Sequence, residues 1–365
     1  MFEFKGGIQT YSQFFLQALQ ALCPEWNYRV LLKHDRQAPA HHPFMPTTTF
    51  QFAGRAPLPL RTPVYALQLL VAAIQQRPHL IITTHLNFTP VAYWLKQWLG
   101  IPYWTVAHGV EAWNIQRPVL RTALQNADRI LAVSSYTRNR LLKEQPLDPN
   151  HVVLLPNTFD PSRFHIAPKP KSLLHRYNLS PYHCIILTVA RLDSQERYKG
   201  YDQILRAMPA IRQQLPQAHY VLVGKGNDRP RVESLIQQLG LQDCVTLTGF
   251  VPDDELTDHY NLCDVFAMPS KGEGFGIVYL EALACGKPTL GGNQDGAIDA
   301  LCRGELGVLV NPDDVDAIAH ALTRLLQGTY PHPLLYQAEA LRQRVINIYG
   351  FEQFQAMLAK ILQTC

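Results

Sequence analysis

Apolar residues fall into two alternating patterns along this chain: stretches in which they line one helical face, and short unbroken runs of the length of a buried strand. Lys5-Gly6-Gly7-Ile8 leads straight into the first helical pattern, with Tyr11, Phe14, Phe15, Ala18, Leu19 and Leu22 on one face and Cys23-Pro24 as its end. Tyr28 to Lys33 and Thr48 to Phe52 read as strands, joined by a surface loop rich in proline and histidine. A helix over Pro63 to Gln76, a strand over Leu80 to Thr84, a helix over Phe88 to Leu99 and a strand over Pro102 to Ala107 follow. Arg129 to Val133, the helix Thr137 to Glu144 and Val152 to Leu155 continue the alternation, which predicts a parallel sheet with crossover helices. Only four residues precede Lys5, where a doubly wound domain would place a buried strand. Either the start methionine is assigned too late or the sheet lacks that strand.

Between Pro156 and Pro181 the periodicity fails and five prolines punctuate a polar stretch, which reads as an interdomain linker. The pattern then restarts, with strands at Cys184 to Val189, Tyr220 to Val223, Val245 to Leu247, Val265 to Met268 and Val308 to Val310. Helices are predicted over Tyr201 to Leu215, Arg231 to Leu239, Val278 to Ala284 and Asp314 to Leu326. The last segment, Leu335 to Leu362, is helical but broken near Gly350, so its end can return to the first domain. The expectation is an α/β protein of two Rossmann-like parallel-sheet domains, residues 1–165 and 166–350, with the C-terminal helix 351–365 packing back on the first. At 365 residues each domain can bury its own core.

Composition narrows the class. Hydrophobic content of 47% and charged content of 17% describe a folded globular protein, and no apolar run reaches the ~18 residues of a membrane span. The N-terminus has no apolar core of signal-peptide length, so the default compartment is the cytoplasm. Seven cysteines with no C-x-x-C pair read as reduced thiols, and the fourteen histidines form no H-E-x-x-H, so neither a metal nor another cofactor is expected. Up to His165 there are 15 Lys+Arg against 8 Asp+Glu; from Ile166 onward there are 18 against 21. The basic half, with Arg117, Arg121, Arg129, Arg138, Arg140 and Lys143 crowded together, suits a phosphorylated acceptor or peripheral contact with the inner face of an anionic membrane; a solvated basic surface is the plain alternative. No basic stretch is interleaved with aromatics on a nucleic-acid module, so nucleic acid is not an expected partner.

The candidate chemistry gathers around Ser270 to Pro288. This stretch follows a strand, opens with three glycines and turns helical, which brings backbone N–H groups up to an anion. Glu273 lies in the glycine loop, and Glu281, eight residues on, is expected about two turns into the helix. The strand Cys184 to Val189 ends in Ala190-Arg191-Leu192, and Lys199-Gly200 opens the next helix, so Arg191 and Lys199 flank one βα loop where they can reach a phosphate together. Val223-Gly224-Lys225-Gly226 resembles a dinucleotide fingerprint without its third glycine, which weakens an oxidoreductase reading. Gly249-Phe250-Val251 can hold a base against backbone or be a plain turn. His108, followed by a glycine, sits at the carboxyl end of its strand, and Gly6-Gly7 opens a helix as a second anion or sugar site. Asp314-Val315-Asp316 matches a metal-diphosphate D-x-D in letters only and is better explained as acidic residues at a helix N-terminus.

Taken in order, Gly6-Gly7-Ile8, His108-Gly109, Ala190-Arg191-Leu192, Lys199-Gly200, Gly224, Gly249-Phe250-Val251, Glu273 to Glu281 and Gly291-Gly292 resemble the motif series of retaining glycosyltransferase family 4. The resemblance covers nearly the whole chain, and the two glutamates within Glu-Gly-Phe-Gly-Ile-Val-Tyr-Leu-Glu are its specific part. It implies the GT-B fold, two domains facing across a cleft, with a nucleotide-diphospho-sugar, UDP-glucose first, on the C-terminal domain and a saccharide or lipid-linked acceptor on the other. It further implies that Arg191 and Lys199 hold the diphosphate, Glu281 the ribose hydroxyls and Glu273 the sugar hydroxyls. Gly274 and the backbone of Phe275, Gly276 and Ile277 would contact sugar and phosphate, Gly224, Phe250 and Val251 would line the donor site, His108 would sit over the sugar, and Gly6 and Gly7 would pass close to the phosphate. The implied reaction is metal-independent hexosyl transfer with retention in polysaccharide or glycolipid biosynthesis. A nucleotide-sugar epimerase of the same architecture and a non-catalytic nucleotide-sugar binder are the alternatives.

Overall fold

The computed structural model describes residues 1–3, 6–39 and 41–363; Lys5 of the first motif and the last two residues of the expected helix 351–365 lie outside them. The chain divides into two compact units, Met1–Thr158 with Phe351–Cys365, and Phe159–Gly350.

In the first unit, α1 (Gly7–Leu22) is followed by β1 (Arg29–Leu32) and β2 (Thr49–Phe52), which pair in parallel. Then come α2 (Arg61–Gln76), β3 (Ile81–Thr83), α3 (Thr89–Leu99), β4 (Tyr103–Ala107), α4 (Pro118–Gln125), β5 (Arg129–Ala132), α5 (Ser135–Glu144) and β6 (Val152–Leu154). β3 to β6 form a four-stranded parallel sheet in chain order, separate from the β1–β2 pair. Every residue of β4 is buried, as expected of a parallel strand covered on both faces. No strand precedes α1 among the described residues. The helix α4, opened by Pro118 in its first turn, was not evident from periodicity; its apolar face is only Leu120, Ala123 and Leu124.

The second unit contains α6 (Lys171–Arg176), β7 (Cys184–Val189), α7 (Tyr201–Gln214), β8 (Ala218–Val223), α8 (Arg229–Gln238) and β9 (Val245–Gly249). It continues with α9 (Leu256–Leu262), β10 (Val265–Met268), α10 (Ile277–Ala284), β11 (Thr289–Gly292), α11 (Ala297–Ala300), β12 (Val308–Val310), α12 (Val315–Leu326) and α13 (Ala338–Tyr349). Six parallel strands stand in the order β12-β11-β10-β7-β8-β9. That is the doubly wound arrangement, with its topological switch point between β7 and β10. The ladder between those two covers only Ile186 and Leu187 on β7.

The proline-rich stretch after Thr158 belongs to the second unit rather than forming a free linker. Arg342 on α13 donates to the carbonyls of Phe164, Ala284 and Pro161, the Phe164 ring meets Tyr260 edge-on at 5.9 Å, and Lys169 pairs with Asp264 at 2.7 Å. Five prolines in a polar sequence suggest a linker, and these bonds to distant residues override that local signal. After Gly350 the chain returns to the first unit as α14 (Phe351–Gln363), where Phe354 and Phe351 pack on Tyr11 and Phe14 of α1. No helix among the described residues is long and apolar enough to cross a membrane, and Cys23, Cys184, Cys244, Cys263, Cys285 and Cys302 are all free thiols.

Candidate active site

The loops that leave β7 and β10 meet at the switch point, where open α/β sheets collect ligands. After β7, Ala190 N–H donates to the Val223 carbonyl and Leu192 N–H to that of Lys225, so the loop runs beside Gly224. A methyl group on Gly224 would lie 1.8 Å from the Ala190 oxygen, and its φ of 146° disfavours any side chain. Only glycine lets the two backbones approach this closely.

Lys199 ends the short 3₁₀ turn Arg197–Lys199, and Gly200, with φ 83°, caps α7. The ammonium of Lys199 meets the carboxylate of Glu273 from the β10 loop, and both side chains are largely withdrawn from solvent. Arg191 instead reaches Glu196 within its own loop, and its side chain is 70% exposed. The structure therefore joins Lys199 to Glu273, while Arg191 stands on the same loop with a different partner.

The β10 loop is held from below by a residue that the sequence analysis did not single out. Asp295, fully buried, accepts hydrogen bonds from Ser270 Oγ (2.7 Å), the Glu273 N–H (2.7 Å) and the Ala297 N–H (2.9 Å). Burial pushes its carboxyl up to about 6 despite those donors. Tyr279 adds a bond from its hydroxyl to the Met268 carbonyl, 2.6 Å, and the Gly296 N–H donates to the Glu273 carbonyl, 2.8 Å. Methyl groups on Gly292 or Gly296 would strike the Ser270 and Gly274 carbonyls, so these glycines let the β11 loop support the β10 loop. The available signal was position: Asp295 follows Gly291-Gly292 at the carboxyl end of β11. That strand was itself missed, because Thr-Leu-Gly-Gly reads locally as a turn.

Helix α10 begins at Ile277, with Gly276 in the left-handed region at φ 88° as its N-cap. The expectation of Glu281 two turns into a helix is corrected to about one, because Glu273 to Gly276 are loop. Glu281 accepts a 2.6 Å bond from the Tyr260 hydroxyl, and burial pushes its carboxyl up to about 7. Gly274, Gly276 and the backbone of Phe275 and Ile277 form the approach to this helix start, while the Phe275 ring is buried against Tyr349 at 5.4 Å. On the far side of β7, the Gly224 N–H donates to the Gly249 carbonyl at 2.9 Å. Phe250 is exposed beyond it with the Lys225 ammonium 4.6 Å over its ring, and Val251 is half-buried beside it. Asp314 caps α12 through the Ala317 N–H at 2.8 Å, in keeping with the helix-terminus account of the D-x-D letters.

In the first unit, His108 follows β4. Its Nε2 lies 3.0 Å from the Thr84 carbonyl and so carries the proton, leaving Nδ1 unprotonated, and the His108 backbone N–H donates to the Glu111 carboxylate at 2.6 Å. Burial lowers the imidazole to about 4, so the ring is neutral at ordinary pH. The Tyr11 ring fixes it edge-on at 4.9 Å. Gly6 is in extended conformation, and among the described residues nothing lies within 4 Å of where a Gly7 methyl would sit. The protein's own packing does not demand a glycine at Gly7.

The chain matches two family descriptions, Glycosyltransferase Family 4 over residues 5–163 and Glycosyl transferases group 1 over residues 178–344. It is 36% identical over 270 residues to the GDP-mannose-dependent alpha-(1-6)-phosphatidylinositol monomannoside mannosyltransferase of Mycolicibacterium smegmatis, a match covering 70% of this chain and 68% of that protein. The Mycobacterium tuberculosis protein of the same name is 36% identical over 231 residues, 60% of this chain and 59% of its own length. Among solved structures, sucrose-phosphate synthase from Thermosynechococcus elongatus superimposes with a TM-score of 0.81 at 24% identity, covering 98% of this chain and 93% of that one. The Anabaena HepE complex with UDP-glucose gives 0.80 at 18% identity, with 99% and 97% covered. With both halves matched, the chain belongs to glycosyltransferase family 4 and has the GT-B fold.

Proposed function

We propose that this protein is a retaining hexosyltransferase that moves a sugar from a nucleotide-diphospho-sugar to a saccharide or lipid-linked acceptor. The observation that carries this reading is the Lys199–Glu273 pair set before the N-terminus of α10 at the β7/β10 switch point. A lysine, a carboxylate and a helix N-terminus in one loop system match the three parts of a nucleotide-sugar: diphosphate, sugar hydroxyls and, through Glu281 one turn along, ribose diol. On donor binding, Lys199 and Arg191 exchange their bonds to Glu273 and Glu196 for phosphate oxygens, and Glu273 turns to the sugar. His108 and Gly7 are substrate-facing groups of the first unit, the neutral His108 ring serving through Nδ1 as an acceptor for a hydroxyl.

The acceptor hydroxyl attacks the anomeric carbon on the face from which the diphosphate departs. The bond from that carbon to the phosphate oxygen breaks with its electron pair going to the phosphate, and the hydroxyl proton passes to the same oxygen. Two cations and a helix dipole stabilise the departing charge, so the reaction proceeds without a divalent ion.

The donor we favour is GDP-mannose, because it stands in the names of the 36%-identical relatives; those names also favour a phosphoinositide-linked acceptor. UDP-glucose, implied by the sequence resemblance, is the competing donor. The test is release of nucleoside diphosphate from GDP-mannose and from UDP-glucose, with and without EDTA. Slow release of GDP and mannose, unchanged by EDTA, is expected. An epimerised donor would assign the protein to the isomerases, and binding without turnover would make it a sugar-nucleotide binder. Lys199→Ala and Glu273→Ala are each expected to cost on the order of 100-fold in turnover; full activity in either sinks the assignment.

A further inference from the structure

We propose that the outer face of α2 and α3 in the first unit docks on an anionic lipid bilayer. On α2, Leu67, Val71 and Ile74 stand at i, i+4 and i+7 and are all exposed, Leu67 by 59%. On α3, Trp94 and Trp98 stand at i and i+4, exposed by 47% and 66%, with ring centroids 5.7 Å apart. Between the two helices runs a groove of about 410 Å³, lined entirely by apolar and indole side chains and closed below by Leu70, Val91 and Leu95. The turn that leads into α2 adds Leu58 and Leu60, both more than half exposed. Isolated exposed apolar residues are ordinary, but a continuous apolar and tryptophan face of this kind marks a contact surface.

The charge around it selects the occupant. From Arg36 to Val110 the chain contains no aspartate or glutamate, while Arg36, Arg55, Arg61, Arg77 and Lys96 supply positive charge. Arg61 and Arg77 stand at the two ends of α2. Lys96 turns away from the face to pair with Asp128 at 2.7 Å, so α3 contributes tryptophan and no net cation. Aromatic residues that sit at the headgroup level, aliphatic residues beside them and arginines at the margins are the chemistry of an anionic membrane surface. In the basic cluster between Arg117 and Lys143, Arg140 pairs with Glu144 over the Trp113 ring, so part of the cluster's charge is already neutralised.

The test is co-sedimentation of the full chain with phosphatidylcholine vesicles, with and without phosphatidylglycerol, read together with tryptophan emission. Binding to the phosphatidylglycerol vesicles with a blue shift is expected, at least tenfold tighter than to phosphatidylcholine alone. Trp94→Gln with Trp98→Gln should abolish the shift and lower binding about tenfold. Arg61→Gln with Arg77→Gln should lower binding to the anionic vesicles by roughly thirtyfold, each arginine being worth about 1 kcal/mol near such a surface. Trp94, Trp98 and Arg77 are exposed, and Arg61 is half-buried with a bond from Nε to the Ala56 carbonyl, so unchanged thermal unfolding of the tryptophan variant and unchanged donor hydrolysis without vesicles are expected, with unfolding of the arginine variant read alongside its binding. Absence of binding, or equal binding by the tryptophan variant, overturns the proposal. A concentration-dependent dimer that this variant dissolves overturns it as well, by assigning the face to a second copy.

Discussion

At the scale of single residues, the ribose contact proposed for Glu281 would link donor binding to pH. Its carboxyl titrates at about 7 in the native protein, above the usual carboxylate range, because it is buried. The native state therefore holds a proton that the unfolded chain has lost, and Glu281 contributes stability below the unfolded value that disappears as pH rises through about 7. Under the proposed function ribose hydroxyls donate to the ionised form, so nucleotide binding at Glu281 would release this proton. Affinity for the nucleoside diphosphate is expected to rise from pH 6 toward 8 and level off, with Glu281→Gln flattening the profile. Calorimetry in buffers of different ionisation enthalpy reads the proton directly, and a pH-independent wild-type affinity would remove Glu281 from the ribose. Asp295 acts one step further from the chemistry. Asparagine there removes an acceptor from a buried site with three donors, at a cost of about 1–3 kcal/mol. A lower melting temperature together with a raised donor KM is the expected signature of Asp295→Asn; a full-strength KM would separate the loop's stability from its function. Glu273 and Lys199 were singled out in the sequence because each stands beside a glycine in a loop after a strand, Arg191 because it follows a strand end, and Glu281 by its spacing from Glu273. Asp295, Tyr260 and Tyr279 were not, since their partners are set by packing between segments far apart in the chain.

At the scale of elements, close passages of backbone define the donor unit. Gly224 sits under the Ala190 carbonyl, where a methyl group has no room, whereas Gly240 has a similar preference for positive φ, 67°, but open space around it. Gly224→Ala is expected to destabilise by on the order of 3 kcal/mol through overpacking, and Gly240→Ala by about 1 kcal/mol through backbone strain alone. Equal melting temperatures for the two variants would deny that the β7 and β8 loops depend on this passage. Strands and helices with strong periodicity, such as β7, β10 and α12, were readable in advance to within a few residues. β11 and α4 were not, because four residues with two glycines, and a short helix with a narrow apolar face, carry too little local pattern.

At the scale of the whole molecule, charge and architecture divide together: the basic half of the sequence forms the first unit, apart from its returning helix, and the acidic half forms the six-stranded unit. The alternation of strands and helices made two parallel-sheet units legible, and it also raised the question of a strand before α1. Among the described residues the first unit has two ladders, β1–β2 and β3–β6, with no strand pairing between them. Among those residues, side chains and helices hold one ladder to the other. Local opening follows such seams. Amide hydrogens of Arg29–Leu32 and Thr49–Phe52 are therefore expected to exchange with solvent at a lower free energy than those of Tyr103–Ala107 and Arg129–Ala132, so that the first unit melts in two steps where the second melts in one. Matching exchange rates in hydrogen–deuterium measurements would mean that packing across the seam is as cooperative as a continuous sheet.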